Sequence, residues 1–533
     1  MLGGMQDWPL RIPRILDHAA REHGTRELVS LWADRSVTRT TWAGIAHDSR
    51  RLAQALERLG IRPGDRVATL GMNHSRHVVA WYGTIGVGGI IHTINPRLFD
   101  DQLAYIANHA EDRVLFYDAA FAQIVERLKP HWTSIEHYIC FDPAAGAEGF
   151  ESLIAPEDGD YPWVEGDERD PAMLCYTSGT TGNPKGVLYE HRSTVLHGLA
   201  EMSRDVFDLS ARAVVLPIVP MFHAAAWGLP FSTAMTGGKM VFSADYTPDV
   251  LCNLMREEGV THSAGVPTVW LAMMGHVDAS GADLGNLSLI HIGGAAAPRA
   301  MIAWFRNKGI RVGHAWGMTE MSPLGTSGAP LADWDSLSEE EQLDYACKQG
   351  RVPFGVELRT IDDEGNLLPR DGKASGRLQA RGPWVIKQYY GDEGGPCVDE
   401  DGWFDTGDVA ILHSNGAMQI TDRSKDVIKS GGEWISSIEL ENAAVGCPGV
   451  AEAAAVGVYH PKWDERPLLL VMRKPGAEVS AEEILEHLSK QVAKWWLPDE
   501  VLFVESLPHT ATGKLLKTAL RERYKDYRLE SAA

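Results

Sequence analysis

The stretch YTSGTTGNPKG, residues 176–186, decides how the rest of the chain is read. An apolar run, AMLCYT, empties there into hydroxyls, glycines and one lysine. Gly179 and Gly182 allow close backbone approach and unusual dihedrals, Thr177, Ser178, Thr180 and Thr181 offer donors, and Lys185 adds positive charge. Such a loop can wrap phosphate. It is not a Walker loop, because Pro184 stands where the second glycine of that pattern belongs. A flexible polar linker is the bland alternative, and the apolar residues on both sides argue against it.

Upstream of the loop, two short β-like runs occupy residues 27–40, and Thr41 can cap a helix whose Ile45, Leu52, Leu56 and Leu59 share one face before Gly60 stops it. RVATLG then begins a strand, and the rhythm continues through VVAWYGTIGVGGIIHTI, RVLFYD and HYICFD with helical stretches between, as in α/β layers. Downstream, residues 214–231 are too broken by Pro217, Pro220, Pro230 and His223 for a bilayer helix and read as buried strand and loop. From about residue 352 short strands separated by DDEGN, RDGKASG, DEDGW and HSNG predict a β-rich subdomain over 352–424. Residues 425–533 suffice for a small α+β domain, with helix IELENAAV, strands AEAAAVGVY and LLLVMRK, and helix AEEILEHLSKQVAK. Lys517, Arg521, Lys525 and Arg528 recur at helical spacing near its end and read as a solvated charged face.

Composition narrows the function. The 533 residues are 44% hydrophobic and 23% charged, ordinary for a globular chain with several core units. The net charge of -22 argues against a general nucleic-acid or anionic-membrane partner, so anionic ligands need locally positive sites. The six cysteines show no zinc-finger or C-x-x-C spacing, which points to a reducing compartment. The start lacks a signal-peptide core and the tail ESAA is neither a peroxisomal address nor a lipidation box, so a cytoplasmic protein without an integral membrane segment is expected. H-E-x-x-H and G-x-S-x-G are missing, and Gly86-Val87-Gly88 leads to Ile91 where a dinucleotide fingerprint needs glycine. Hydride transfer and serine hydrolysis fall away.

Five further stretches follow the 176–186 loop in a fixed order: HIGGAAAP at 291–298, WGMTE at 316–320, WFDTGD at 403–408, DRSKDVIKSGGEWIS at 422–436 and TATGKLLK at 510–517. In this order they resemble the adenylate-forming acyl-CoA synthetases, and PMFHAAAW at 220–227, AGVPTVWLA and HPKWDERPL strengthen the likeness to the bacterial fatty acyl-CoA and methylthio-acid ligases. The resemblance covers nearly the whole chain. It implies an enzyme that uses ATP, Mg2+ and coenzyme A: a carboxylate attacks ATP to give acyl-AMP and pyrophosphate, and the coenzyme A thiol then displaces AMP. The expected acid is short- to medium-chain or methylthio, such as 3-methylmercaptopropionate, with a long-chain fatty acid as the alternative. An amino-acid adenylation domain would carry an Asp in the MFHAAAW segment, which holds none. A noncatalytic nucleotide-binding protein on the same fold is the alternative of another class.

By resemblance, the 176–186 loop holds the β and γ phosphates, and Thr180 and Glu320 place magnesium. Gly293, Gly294, Ala295 and Ala296 line the adenine and acyl side; His314, Ala315, Trp316 and Thr319 surround the nucleotide; Asp408 and Arg423 bind ribose. Lys514 matches the lysine that reaches the carboxylate and α-phosphate. His223 matches a residue beside the substrate carboxylate, although a lone His in an apolar run also reads as a satisfied core residue. Trp227 resembles a gate to the acyl pocket, and core packing explains it equally. The family rotates its C-terminal domain about the position matched by Lys425, exchanging Lys514 for the loop with Lys429, Gly431, Gly432 and Trp434. A hinge at Lys425 and a boundary between residues 424 and 425 are therefore expected, as is a homodimer by family analogy. Bland readings remain: a helix-start carboxylate for Glu320, a surface turn for Asp408, a tight turn for Gly431-Gly432.

Overall fold

A computed structural model describes residues 3–142, 149–177, 183–392, 395–431, 433–509 and 515–529. Two sheets of mostly parallel strands form the larger part. The first has six strands in the order His137–Cys140, Asp112–Tyr117, Arg66–Leu70, Ile90–Thr93, Pro171–Tyr176 and Gly186–Glu190, the last antiparallel. The second has eight, running Leu324–Ser327, Arg311–Gly317, Leu289–Ile292, His262–Gly265, Val214–Pro217, Lys239–Ser243, Glu27–Leu31 and Val37–Thr41, antiparallel only at its two edges. Inner strands such as IIHT and LIHI are buried at every position, as parallel strands covered on both faces must be. The edge strand VTRTT instead faces water on alternate residues.

Helices pack between the two sheets, which share one of their core clusters. Thr41 accepts from the Gly44 N–H at 3.2 Å and starts the helix Trp42–Arg58, whose Ile45, Leu52 and Leu56 are buried as their spacing predicts. The helix Ser75–Gly86 is buried nearly all round, and its Val78, Trp81, Tyr82 and Ile85 share a cluster with Val67 of the first sheet and Phe242 of the second. Residues 214–231 divide differently from the strand-and-loop reading: after the strand Val214–Pro217, Gly228 ends an irregular turn and a helix, Leu229–Thr236, begins with Pro230 in its first turn. Proline is tolerated there because the first helical N–H groups have no partner within the helix.

The β-rich stretch is a four-stranded antiparallel sheet, Glu357–Ile361, Ser375–Arg381, Phe404–Leu412 and Met418–Arg423. Beyond it lies a smaller α+β part built on a five-stranded sheet. Leu469 and Val471 of its strand Asp464–Arg473 pack on the helices Ser437–Val445 and Ala481–Ser489, whereas Leu468 and Leu470 pack on Leu507 and Leu520 behind. The helix expected over 481–494 stops at Ser489, and a turn of 3-10 helix follows at Lys494–Trp496.

The tail corrects the solvated-face reading. In the helix Lys517–Tyr524, Lys517 is 9% exposed, pairs with Glu441 at 2.7 Å and donates to Ser437 Oγ at 2.5 Å, while Arg521 pairs with Asp426. Lys525 and Arg528 behave as expected, both exposed, with Lys525 paired to Glu522 one turn away. Among the described residues, no helix is long and apolar enough to cross a membrane, and all six cysteines are free thiols.

Candidate active site

Three parallel strands discharge their carboxyl ends into one place, the usual ligand side of an open α/β sheet. Pro171–Tyr176 leads to Thr177, Leu289–Ile292 to Gly293 and Gly294, and Arg311–Gly317 to Thr319 and Glu320. Together they line a cavity of about 590 Å3.

At its polar end the neck of the quoted loop is clamped. Thr177 N donates to the Lys185 carbonyl at 2.9 Å, and Lys185 N donates to Thr177 Oγ1 at 3.1 Å. Ser178, Gly179, Thr180, Thr181 and Gly182 lie outside the described residues, as do Gly432 and Lys514. The Lys185 ammonium sits 4.8 Å over the Tyr389 ring, and Tyr389 donates its hydroxyl to Glu320 Oε1 at 3.0 Å. Glu320 is buried, and that burial holds its carboxyl above the usual range although Tyr389 opposes the shift. Tyr189 donates to the Thr319 carbonyl at 2.7 Å and fixes the turn that carries Glu320. A buried carboxyl in this position attracts a hard cation.

The antiparallel sheet meets the cavity at Thr406 and Arg423. Asp408 and Arg423 are register partners, their side chains 3.6 Å apart, and the Trp316 indole donates to Asp408 Oδ2 at 2.8 Å. Ala315, Trp316, Thr319 and Arg423 line the cavity. His314 does not: it is 1% exposed, its Nδ1 is 2.9 Å from the Cys347 carbonyl and its Nε2 accepts from Ala297 N at 3.2 Å. Burial drives its pKa down to about 4, and the ring braces the 293–298 loop through Ala297.

His223 and Trp227 both line the cavity. Ala224, Ala225, Ala226 and Trp227 all have positive φ, at 44°, 53°, 47° and 57°, a left-handed turn made without glycine. It aims the indole at the end of the neighbouring strand. A Cβ at Gly293 would lie 3.0 Å from Trp227 Cη2, which is why glycine suits that position.

A second cavity, of about 280 Å3, adjoins the first at Gly294 and Arg423. Ala295 and Ala296 form one wall, and Lys425, Leu515, Leu516 and Lys517 form another. The bridge between His509 and Leu515 brackets the segment that includes Lys514. Lys429, Gly431 and Trp434 stand on the hairpin of Ile428–Ser430 with Glu433–Ile435 and line neither cavity. Sequence reading missed Arg97, Tyr189, Glu201 and Tyr389. No local pattern marks them: Arg97, Glu201 and Tyr389 reach the site from segments outside the recognised motifs, and Tyr189, just after the loop, sits in an ordinary buried strand.

Comparison with known proteins follows this geometry. The chain matches the AMP-binding enzyme family over residues 16–390 and its C-terminal domain over residues 439–514. It is 50% identical to a 3-methylmercaptopropionyl-CoA ligase of Ruegeria lacuscaerulensis, covering 99% of each chain. It is 45% identical to a medium-chain-fatty-acid–CoA ligase of Ectopseudomonas oleovorans, covering 100% of this chain and 99% of that one. The crystal structure of an anthranilate CoA ligase in complex with anthranoyl-AMP superposes with a TM-score of 0.88 at 24% identity, over 98% of this chain and 99% of the other, a likeness of fold.

Proposed function

The chain belongs to the AMP-binding enzyme family, and from that premise we propose that it activates a short- to medium-chain or methylthio carboxylate, 3-methylmercaptopropionate in particular, as an AMP-forming acid–CoA ligase. One observation carries the reading: a single cavity runs from Thr177, Lys185 and Glu320 to an apolar pocket with Val206, Phe207 and Leu324. Phosphates and an acyl chain can therefore occupy one space with the carboxylate between them.

The chemistry needs two anions to meet. The carboxylate oxygen attacks the α-phosphorus of ATP, and the bond to pyrophosphate breaks. The coenzyme A sulfur then attacks the acyl carbon and AMP leaves. Positive groups aimed at the developing charge are the main catalytic resource for such phosphoryl chemistry. Lys185, Arg97 and the 178–182 loop supply them for the phosphates, Lys514 for the carboxylate and α-phosphate, and His223 orients the acid. Asp408, Arg423, Trp316, Ala315 and Thr319 hold the nucleoside between themselves and the 293–296 loop.

Glu320 and Thr180 would hold magnesium, which would neutralise phosphate charge. Among the described residues no cluster of three His, Cys, Asp or Glu could bind a metal by itself. A magnesium that takes most of its oxygens from phosphate and water fits a lone buried carboxylate. Between the half-reactions, the part following Lys425 rotates about that residue and replaces Lys514 by the hairpin with Lys429, Gly431, Gly432 and Trp434. Trp227 gates the acid pocket. The enzyme works as a cytoplasmic homodimer.

The test is pyrophosphate release with ATP and magnesium across acids from acetate to palmitate, including 3-methylmercaptopropionate, followed by mass detection of the thioester after coenzyme A is added. The highest kcat/KM is expected for 3-methylmercaptopropionate or a medium-chain acid. A maximum at palmitate refutes the substrate reading, and no acyl-AMP from any acid refutes the activity.

A further inference from the structure

One buried acidic side chain in the cavity is left unused by the two half-reactions. Glu201 closes the helix His191–Glu201, lines the cavity and is 1% exposed. Its Oε2 has no hydrogen-bond partner among the described residues. The Ser232 hydroxyl lies near the carboxyl and opposes the rise in its pKa, while also reaching the Gly228 and Leu229 carbonyls at 3.4 and 3.5 Å. A Cβ at Gly228 would fall 2.8 Å from Oε2, so the backbone that follows Trp227 roofs the carboxyl directly.

The His197 ring lies against the same Gly228 position, its Nδ1 2.8 Å from where a Cβ would stand and its Nε2 accepting from Leu324 N at 3.2 Å. Phe207 N donates to the Glu201 carbonyl at 3.0 Å, and the Phe207 ring stacks on His291 at 3.8 Å. His291 has Nε2 3.3 Å from Ser327 Oγ and its Nδ1 turned toward the Val206 carbonyl without a well-formed bond. Burial pushes Glu201 well above the usual carboxyl range and pulls His291 down to about 3, which favours the uncharged form of each. A neutral carboxyl can donate one hydrogen bond and accept others. As a structural element it is a poor choice, since an apolar side chain of similar shape would fill the same volume without an orphaned polar atom.

We propose that Glu201 is a specificity-determining residue of the acid pocket, holding a neutral hydrogen-bonding group, such as a hydroxyl or ether oxygen or a thioether sulfur, at the far end of the acyl chain. The inference rests on the ligase reading and refines its substrate class. Plain alkanoates would leave the carboxyl as unsatisfied as it is now, whereas a polar tail would pair with it. Sites built to hydrogen-bond a substrate group discriminate strongly against analogues that lack it.

The experiment compares kcat/KM for alkanoates from propanoate to decanoate with isosteric acids ending in hydroxyl, methoxy, methylthio or ammonium groups, in the wild type, Glu201→Gln and Glu201→Met. At the best-fitting length the wild type should favour a neutral polar tail over its alkanoate isostere by about tenfold or more. Glu201→Gln should keep most of that preference, and Glu201→Met should abolish it while raising alkanoate turnover. The melting temperature of Glu201→Met should equal or exceed that of the wild type; a clear fall marks Glu201 as a structural residue and overturns the proposal. Equal use of both tails at every length, a preference that survives Glu201→Met, or a preference for ammonium tails overturns it as well. Alkanoate turnover in any of these cases leaves the ligase reading intact, whereas no turnover of any acid removes both.

Discussion

Trp316 and Asp408 are joined by an indole N–H donated to a buried carboxylate at 2.8 Å, which ties the strand leading to Glu320 to the antiparallel sheet. The bond leaves Asp408 Oδ1 on the Arg423 side, 3.6 Å from its Nε. Trp316→Phe removes the donor. It should raise KM for ATP about three- to tenfold, the equivalent of about 1 kcal/mol for one hydrogen bond, and change kcat little. Initial rates of pyrophosphate release against ATP concentration check this; an unchanged KM would remove Asp408 from the nucleotide site.

Tyr389→Phe should disturb magnesium use. The hydroxyl donates to Glu320 Oε1, and burial already holds that carboxyl above its ordinary range. Without Tyr389 the pKa rises further, so the ionised form that binds a cation is lost at a higher pH as acid is added. The acidic limb of the kcat/KM profile should therefore move upward in pH. The apparent magnesium affinity should fall by about tenfold, the scale of losing a group that supports a metal ligand. Magnesium titrations at several pH values read both effects.

Lys514→Ala should cost adenylation about 10²- to 10³-fold, comparable to deleting one transition-state donor. Thioester formation from supplied acyl-AMP should survive. If both half-reactions are spared, the proposed role of Lys514 is wrong.

Lys425→Pro should do the reverse, slowing thioester formation while pyrophosphate release continues. Single-turnover measurements of each half-reaction separate the two, and equal loss of both would argue against rotation at this residue.

Lys517→Ala should destabilise the smaller α+β part by about 3–5 kcal/mol, because Glu441 is left buried without its cation. Lys517→Met with Glu441→Gln should recover much of the loss. Denaturant unfolding followed by tryptophan fluorescence would show it; an unchanged midpoint would restore the solvated-face reading.

The layering was legible because it rests on local signals. Continuous apolar strands, Thr41 as a cap and turn clusters after residue 352 each act over a few residues, and the α/β layers with a β-rich sheet and a small α+β part follow from them. Three placements escaped for one reason. Lys517 looks like part of a basic stripe until Glu441 and Ser437, distant in sequence, close over it. That His314 is buried, with Cys347 and Ala297 at its two nitrogens, is likewise not written in its local sequence. Glu201 carries no sequence signal, since its isolation exists only once Gly228 lies across it. Burial of a polar group is a property of the folded neighbourhood, and helical or strand periodicity does not encode which distant residue arrives.

The left-handed turn at Ala224–Trp227 has a practical corollary for anyone reshaping this enzyme. Non-glycine residues in that conformation each cost about 1–2 kcal/mol, so the segment is a wound spring held shut by its surroundings. Exchanging its alanines for glycine would slacken the coil and let the indole wander, whereas bulkier residues would burst it. Directed evolution toward larger acids should thus spare these four positions and carve instead at the opposite wall.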